Sequence, residues 1–209
     1  MSAKQLLDAL FEADRKVREA EALLFAESDE QELSKALERA TEQALALSEA
    51  REAHGQLIRL ADLCAQVQGQ RMASSLVRIL NHEAPEVRVA AGEALRDFAY
   101  DRYAEVARAI EQAFEEQLSG PALAEVPWIL AEIGEPSALP LIARCLAHPD
   151  PEVVASGIEA LAELGDPEAI PLLKPLAKDK RVVELSEADT SYSTTIAELA
   201  LEAMSELAQ

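Results

Sequence analysis

The sequence predicts an all-α fold, a solenoid of about four stacked helical pairs entered through a pair of long helices. Three observations predict it. The phrase Gly134-Glu135-Pro136-Ser137-Ala138-Leu139-Pro140-Leu141-Ile142 returns 31 residues later as Gly165-Asp166-Pro167-Glu168-Ala169-Ile170-Pro171-Leu172-Leu173. Apolar residues recur at spacings of three and four through most of the chain. Aromatic residues make up only 4% of the composition, with Ala and Leu dominant, as suits packed helices. A period of about 30–47 residues marks supersecondary units that bury their apolar faces against one another. Such stacks present surfaces rather than one pocket, so binding is expected before catalysis.

Residues 1–69 lack the phrase and read as a long helical hairpin. The first helix, about 3–26, offers Leu6, Leu10, Val17, Leu24 and Phe25 as a stripe. Ser28-Asp29-Glu30-Gln31 reads as a capping box, with Ser28 accepting from the backbone and Gln31 reaching back. Behind it Leu33, Leu37, Ala40, Ala44, Leu47, Arg51, His54, Ile58 and Ala61 alternate spacings of four and three, a heptad seam along a second long helix. Gly55 is expected to kink that helix or end it near residue 53. The hairpin would cap the open end of the stack, which a solenoid needs. Self-association through these N-terminal helices is the alternative.

Residues 70–209 divide into units at about 70–99, 100–133, 134–164 and 165–209. Each reads as two helices, and in the last two Gly ends the preceding helix in a left-handed conformation, Asp or Glu follows, and Pro opens the next helix, where its missing N–H is harmless. Leu139, Ile142 and Leu146 give the first helix of the third unit its apolar spacing. Pro140 and Pro171 fall within first turns. Pro149-Asp150-Pro151 breaks the chain, and Asp150 is placed to cap a second helix that buries Val153, Ala160, Leu161 and Leu164. Asn81 to Phe98 repeats this pattern, while 100–133 lacks the Pro-Glu-Val turn. The last copy is longer by 12 residues, an insertion placed near 181–194. Within it, Val182 to Ser186 reads as a strand and Asp189 to Thr195 as a polar loop able to cap the last helix. Lys174, Lys178, Lys180 and Arg181 form a basic cluster beside it, and the loop is a second candidate contact.

The phrases at 134 and 165, Asp150-Pro151-Glu152-Val153 and the Glu-Ala-Leu cores at 93 and 159 resemble HEAT repeats, particularly the short bacterial form also seen in phycobilisome-lyase-type repeat proteins. The resemblance covers about residues 70–209, strongest at 134–178 and weakest at 100–133. It implies an α-solenoid that serves as a non-enzymatic protein–protein interaction or adaptor module. It also implies that the second helix of each pair lines the concave face.

Net charge is −20 and the calculated pI is near 4.5. Residues 1–69 contribute −6 and residues 70–209 contribute −14. Nucleic-acid binding rests on phosphate neutralisation by Lys and Arg, so it is not expected. No run of 18 apolar residues occurs, so no membrane span is expected, and Met1 to Gln5 offers no signal core. Cys64 and Cys145 fall on apolar faces of different units, as reduced core residues of a cytoplasmic protein would.

The repeat alignment places Glu93, Trp128, Glu159 and Glu202 at one position, and Asp97, Glu132, Glu163 and Glu206 one turn later. Two acidic ladders broken by one tryptophan are the candidate partner-binding surface. They suit a partner protein with a basic surface or helix, with Trp128 as anchor. Chemistry leaves no comparable mark. There is no phosphate loop, nucleophile elbow, paired Cys motif or His-Glu-x-x-His, and His54, His82 and His148 read as seam or turn residues. No catalytic residue, metal or cofactor is expected. Two other readings stand beside the adaptor. One is a phycobilin-lyase-like chromophore-handling protein, which the acidic face opposes. The other is an inhibitor or immunity-type protein blocking a basic enzyme or toxin.

Overall fold

The structure is a computed structural model describing residues 1–118, 120–134, 138–187 and 190–208. Expectations for the Glu135-Pro136-Ser137 helix start and for Asp189 fall outside these residues. The described elements are α1 (Ala3–Glu27), α2 (Glu30–Leu45), α3 (Ala50–Gln66), α4 (Gln70–Leu80), α5 (Pro85–Glu115), α6 (Ala122–Ile133), α7 (Ala138–Cys145), α8 (Pro151–Leu164), α9 (Ile170–Leu173), β1 (Val182–Glu187), β2 (Thr190–Thr195) and α10 (Ile196–Glu206). The fold is an all-α solenoid carrying one β-hairpin. α3, α5, α6, α8 and α10 follow one another in contact, with α2 against α4 and α7 against α5 and α8. One apolar cluster runs from Leu33 in α2 to Ala203 in α10, with Phe98, Leu57, Met72 and Ile110 fully buried along it.

The punctuation residues do what their chemistry predicts. Gly134 and Gly165 both sit at φ 68°, the left-handed cap that ends α6 and α8 without the Cβ penalty. The Asp150 carboxylate accepts from the Glu152 N–H at 2.9 Å, and Pro151 opens α8. Asp166 repeats this on Glu168 at 2.9 Å. His82 and His148 share a role as well. Each imidazole Nδ1 accepts the N–H two residues on, Ala84 at 3.0 Å and Asp150 at 3.2 Å.

The second repeat is built differently. α5 is 31 residues long and holds two helical segments joined at Arg102, whose φ of −138° and ψ of 38° are not helical. No Gly or Pro stands there, so the chain bends instead of breaking. The Arg102 guanidinium spans the bend, donating to the Ala65 carbonyl at 3.3 Å and lying 4.8 Å from the Phe98 ring centre. Glu105, just beyond, accepts the Gly69 N–H at 3.0 Å and ties this segment to the start of α4. The first segment of the last repeat also departs from a single helix. Pro167, Pro171 and Pro175 cut it into a 3₁₀ turn at Pro167–Ala169, the one-turn α9 and a second 3₁₀ turn at Lys174–Lys178.

The N-terminal region corrects the expectation in four ways. The heptad seam is not one helix, because residues 46–49 turn the chain and α2 and α3 form an antiparallel pair that packs on α4 and α5. Gly55 lies inside α3 and neither kinks nor ends it. The cap of α2 is Asp29, not Ser28, and its carboxylate accepts from Gln31 at 2.9 Å and Glu32 at 3.0 Å. The α1 stripe is not covered. Leu6, Leu10 and Val17 are exposed, and only Leu24 and Phe25 pack against the core. The Glu21 carboxylate pairs with Arg59 of α3 at that same end.

The insertion is an antiparallel hairpin, with Val183 paired to Thr194 and Leu185 to Tyr192. The segment read as a polar loop, residues 190–195, is therefore strand β2, and only its last residue caps. The Thr195 hydroxyl accepts from the Glu198 N–H at 3.2 Å while Glu198 accepts the Thr195 N–H at 2.9 Å. Val183 is buried, and the hairpin rests on α8 and α10. Arg181 holds its base. It pairs with Asp179 at 2.6 Å and donates to the His148 and Pro149 carbonyls at 2.8 and 3.1 Å.

Candidate functional site

Seven of the eight expected partner-binding residues are exposed. Glu93 and Asp97 lie one turn apart on α5, Trp128 and Glu132 on α6, Glu163 on α8, and Glu202 and Glu206 on α10. Their core neighbours Leu95, Leu130 and Leu161 are fully buried, so the register read from the repeat alignment separates the two faces. Trp128 is 41% exposed for a side chain that usually hides, while Pro127 beside it is buried. Glu159 is the exception. It is half-buried, and burial pushes its carboxyl above the ordinary carboxylate range.

The structure brings some of these residues together. Between α5 and α6 lies a shallow cleft lined by Arg96, Asp97, Tyr100, Glu132 and Ile133. Arg96 bridges the helices through a 3.2 Å ion pair with Glu132. That acid is therefore partly neutralised from within, a feature the ladder alignment did not include. Tyr100 is 89% exposed, more than any other large apolar or aromatic side chain described beyond α1. Sequence reasoning passed over it. Its position seven residues after Glu93 and three after Asp97 on one helix was the available signal.

Other titratable groups are structural. The His54 imidazole sits 2.9 Å from the Glu86 carboxylate and edge-on to His82, with ring centres 5.1 Å apart. Glu86 is held below the usual carboxylate range by its own backbone N–H and by His54. Burial pushes the Cys64 and Cys145 thiols up to about 12, so neither is a ready nucleophile. Arg181, counted in the basic cluster, is engaged by Asp179 and two carbonyls, whereas Lys174, Lys178 and Lys180 are exposed. Among the described residues no three His, Cys, Asp or Glu side chains are grouped to hold a metal ion. None of the described helices is long and apolar enough to cross a membrane.

Residues 109–188, from the second segment of α5 through β1, match the family of HEAT repeats. This stretch is thus similar to HEAT repeats. The matched region includes 109–133, where the repeat phrase is weakest. No curated protein matches the chain. Among solved structures, one engineered protein from the Northeast Structural Genomics Consortium is 15% identical over 88% of this chain and 94% of its own, with a TM-score of 0.36. A second engineered protein from the same consortium is 18% identical over 85% of this chain and 50% of its own, with a TM-score of 0.39. The chain thus spans half the length of the second.

Proposed function

We propose that this chain is a non-enzymatic adaptor that binds a basic segment or helix of another protein across the exposed faces of α5, α6, α8 and α10. HEAT repeats generally mediate protein–protein interaction, and the finer reading rests on one observation. Trp128 stands exposed on α6 with Glu132 a turn away, next to the cleft that also holds Asp97 and Tyr100. Two bare aromatic rings among carboxylates suit Lys and Arg, whose charge pairs with the acids while their alkyl stems and cations lie on the rings. The surrounding net charge of −20 would speed the encounter with a basic partner and weaken with salt. The partner displaces Glu132 from Arg96, so binding exchanges one ion pair for another.

Trp128 is the only tryptophan in the chain, so its fluorescence reports this surface alone. A Lys/Arg-rich helical peptide is expected to shift its emission, with affinity falling as ionic strength rises. Changing Asp97 and Glu132 together to Lys should lower that affinity at least tenfold with the melting temperature retained. Binding that survives the double change, or no response to any basic peptide, would sink the reading and move attention to the hairpin.

A further inference from the structure

We propose that α1 is a dimerisation arm, pairing antiparallel with α1 of a second copy of this chain. The observation is a helix of 25 residues in which none of the first eighteen is buried even in part. Polar composition does not explain this exposure. Leu6, Leu7, Leu10, Phe11 and Val17 lie on one side of α1 and are 45–64% exposed. The same side continues into Leu24 and Phe25, which do pack against the body. Within its own chain the face is thus covered at its C-terminal end and bare along the rest. α2 offers it nothing, because its apolar residues Leu33, Leu37 and Ala44 are buried against α3 and α4.

Two arguments choose a second copy as the occupant. The first is area. The five exposed residues present on the order of 500 Å² of apolar surface, the largest patch a monomer ordinarily leaves bare and, with intervening alanines, near the ~800 Å² per partner of a stable interface. The second is self-complementarity. Ala3, Leu6, Leu10, Ala13, Val17 and Ala20 follow the 3-4 spacing of a coiled-coil seam. Laid antiparallel, Leu6 of one copy faces Val17 of the other, Leu10 faces Ala13, and Ala3 faces Ala20, so every layer closes by the same symmetry. Asp14 then flanks Leu7 of the other copy and Lys16 flanks Ala9, with no like charges opposed. The outer face is already satisfied by helix-internal pairs, Arg15 with Glu12 at 2.6 Å and Arg15 with Glu19 at 3.4 Å.

Charge selects the antiparallel sense. α1 carries four basic and six acidic side chains, so nearly all of the −20 resides in the body. A parallel pair would set two acidic bodies side by side at the ends fixed by Leu24 and Phe25. An antiparallel pair places them at opposite ends of a rod about 30 Å long, well beyond the roughly 8 Å screening length at physiological salt.

The test is the mass of the full chain by light scattering or sedimentation across a dilution series. Wild type is expected at twice 22.6 kDa, dissociating on dilution. Leu6→Lys with Leu10→Lys should give the single mass at every concentration while the melting temperature of the body is unchanged, because those side chains touch none of it. A monomeric wild type at all concentrations overturns the proposal and assigns the face to a different protein. A double variant that stays dimeric overturns it by placing the interface elsewhere. Orientation is read by mixing Leu6→Cys with Val17→Cys protein. A disulfide in the mixture and in neither alone supports the antiparallel pair, and one within Leu6→Cys alone rejects it.

Discussion

The half of the stack around α5 and α6 and the half from α7 to α10 build the same helical pairing by different backbone means. Around α8 the chain is cut by left-handed glycines and aspartate caps, and helices approach so closely that a side chain at Gly157 would press on its neighbours. A Cβ there would lie 3.0 Å from the Cys145 Cβ and 3.3 Å from Leu146. Around α5 the chain bends at Arg102 with no glycine, and Gly92 sits at ordinary contact distance, 3.8 Å from Ile129 and 3.9 Å from Leu80. Helix layering therefore tolerates either a break or a bend, and the glycines of the two halves answer different demands.

The comparison can be broken first at α8. Gly157→Leu forces α7 and α8 apart and is expected to cost about 3 kcal/mol, seen as a fall of roughly 6–12 °C in melting temperature. Gly165→Ala places a side chain in the left-handed region and should cost about 1–2 kcal/mol. At the bend, Arg102→Ala removes the carbonyl bond and the ring contact, with a loss of about 1 kcal/mol by chemical denaturation. Gly92→Ala sharpens the contrast by reversing sign. The space is present and the backbone is helical, so a gain of about 0.5–1 kcal/mol is expected. The smallest effect lies at Glu159, whose raised folded-state pKa means the folded chain holds its proton at a pH where the unfolded chain has released it. Its contribution to stability is present below the unfolded carboxylate range and is lost as pH rises through the raised value. Glu159→Gln should thus raise the melting temperature by about 1–3 °C at pH 7 and leave it unchanged near pH 3.

Legibility in the sequence followed the same divide. Gly134, Gly165, Asp150, Asp166 and Pro151 announce their conformations, because few residue types tolerate a left-handed cap or open a helix so well. Arg102 announces nothing, since its bend is held by contacts to Ala65 and Phe98 that lie far away or on an unremarkable turn. The turn between α2 and α3 was hidden by a seam whose spacing runs through it unbroken, and Glu49 at the start of α3 makes no side-chain cap. At the candidate surface, the alignment separated exposed acids from buried leucines correctly. It could not foresee that Glu159 is half-buried, that Arg96 claims Glu132, or that Tyr100 joins the cleft, because those depend on how α5 and α6 cross. For α1, periodicity states that a face is to be covered and is silent on what covers it.

The two thiols give the stack a pair of internal clocks. Cys64 belongs to α3 and Cys145 to α7, each fully buried and unreactive while its own neighbourhood is closed. In a quasi-one-dimensional array each unit is held mainly by the next, so the ends are free to fray independently. Alkylation at Cys64 then counts openings of the front of the array, and alkylation at Cys145 counts openings of its middle. Equal rates mean that the whole array melts in one step. Faster loss at Cys64 means that the array opens from its front, and faster loss at Cys145 that its middle opens first.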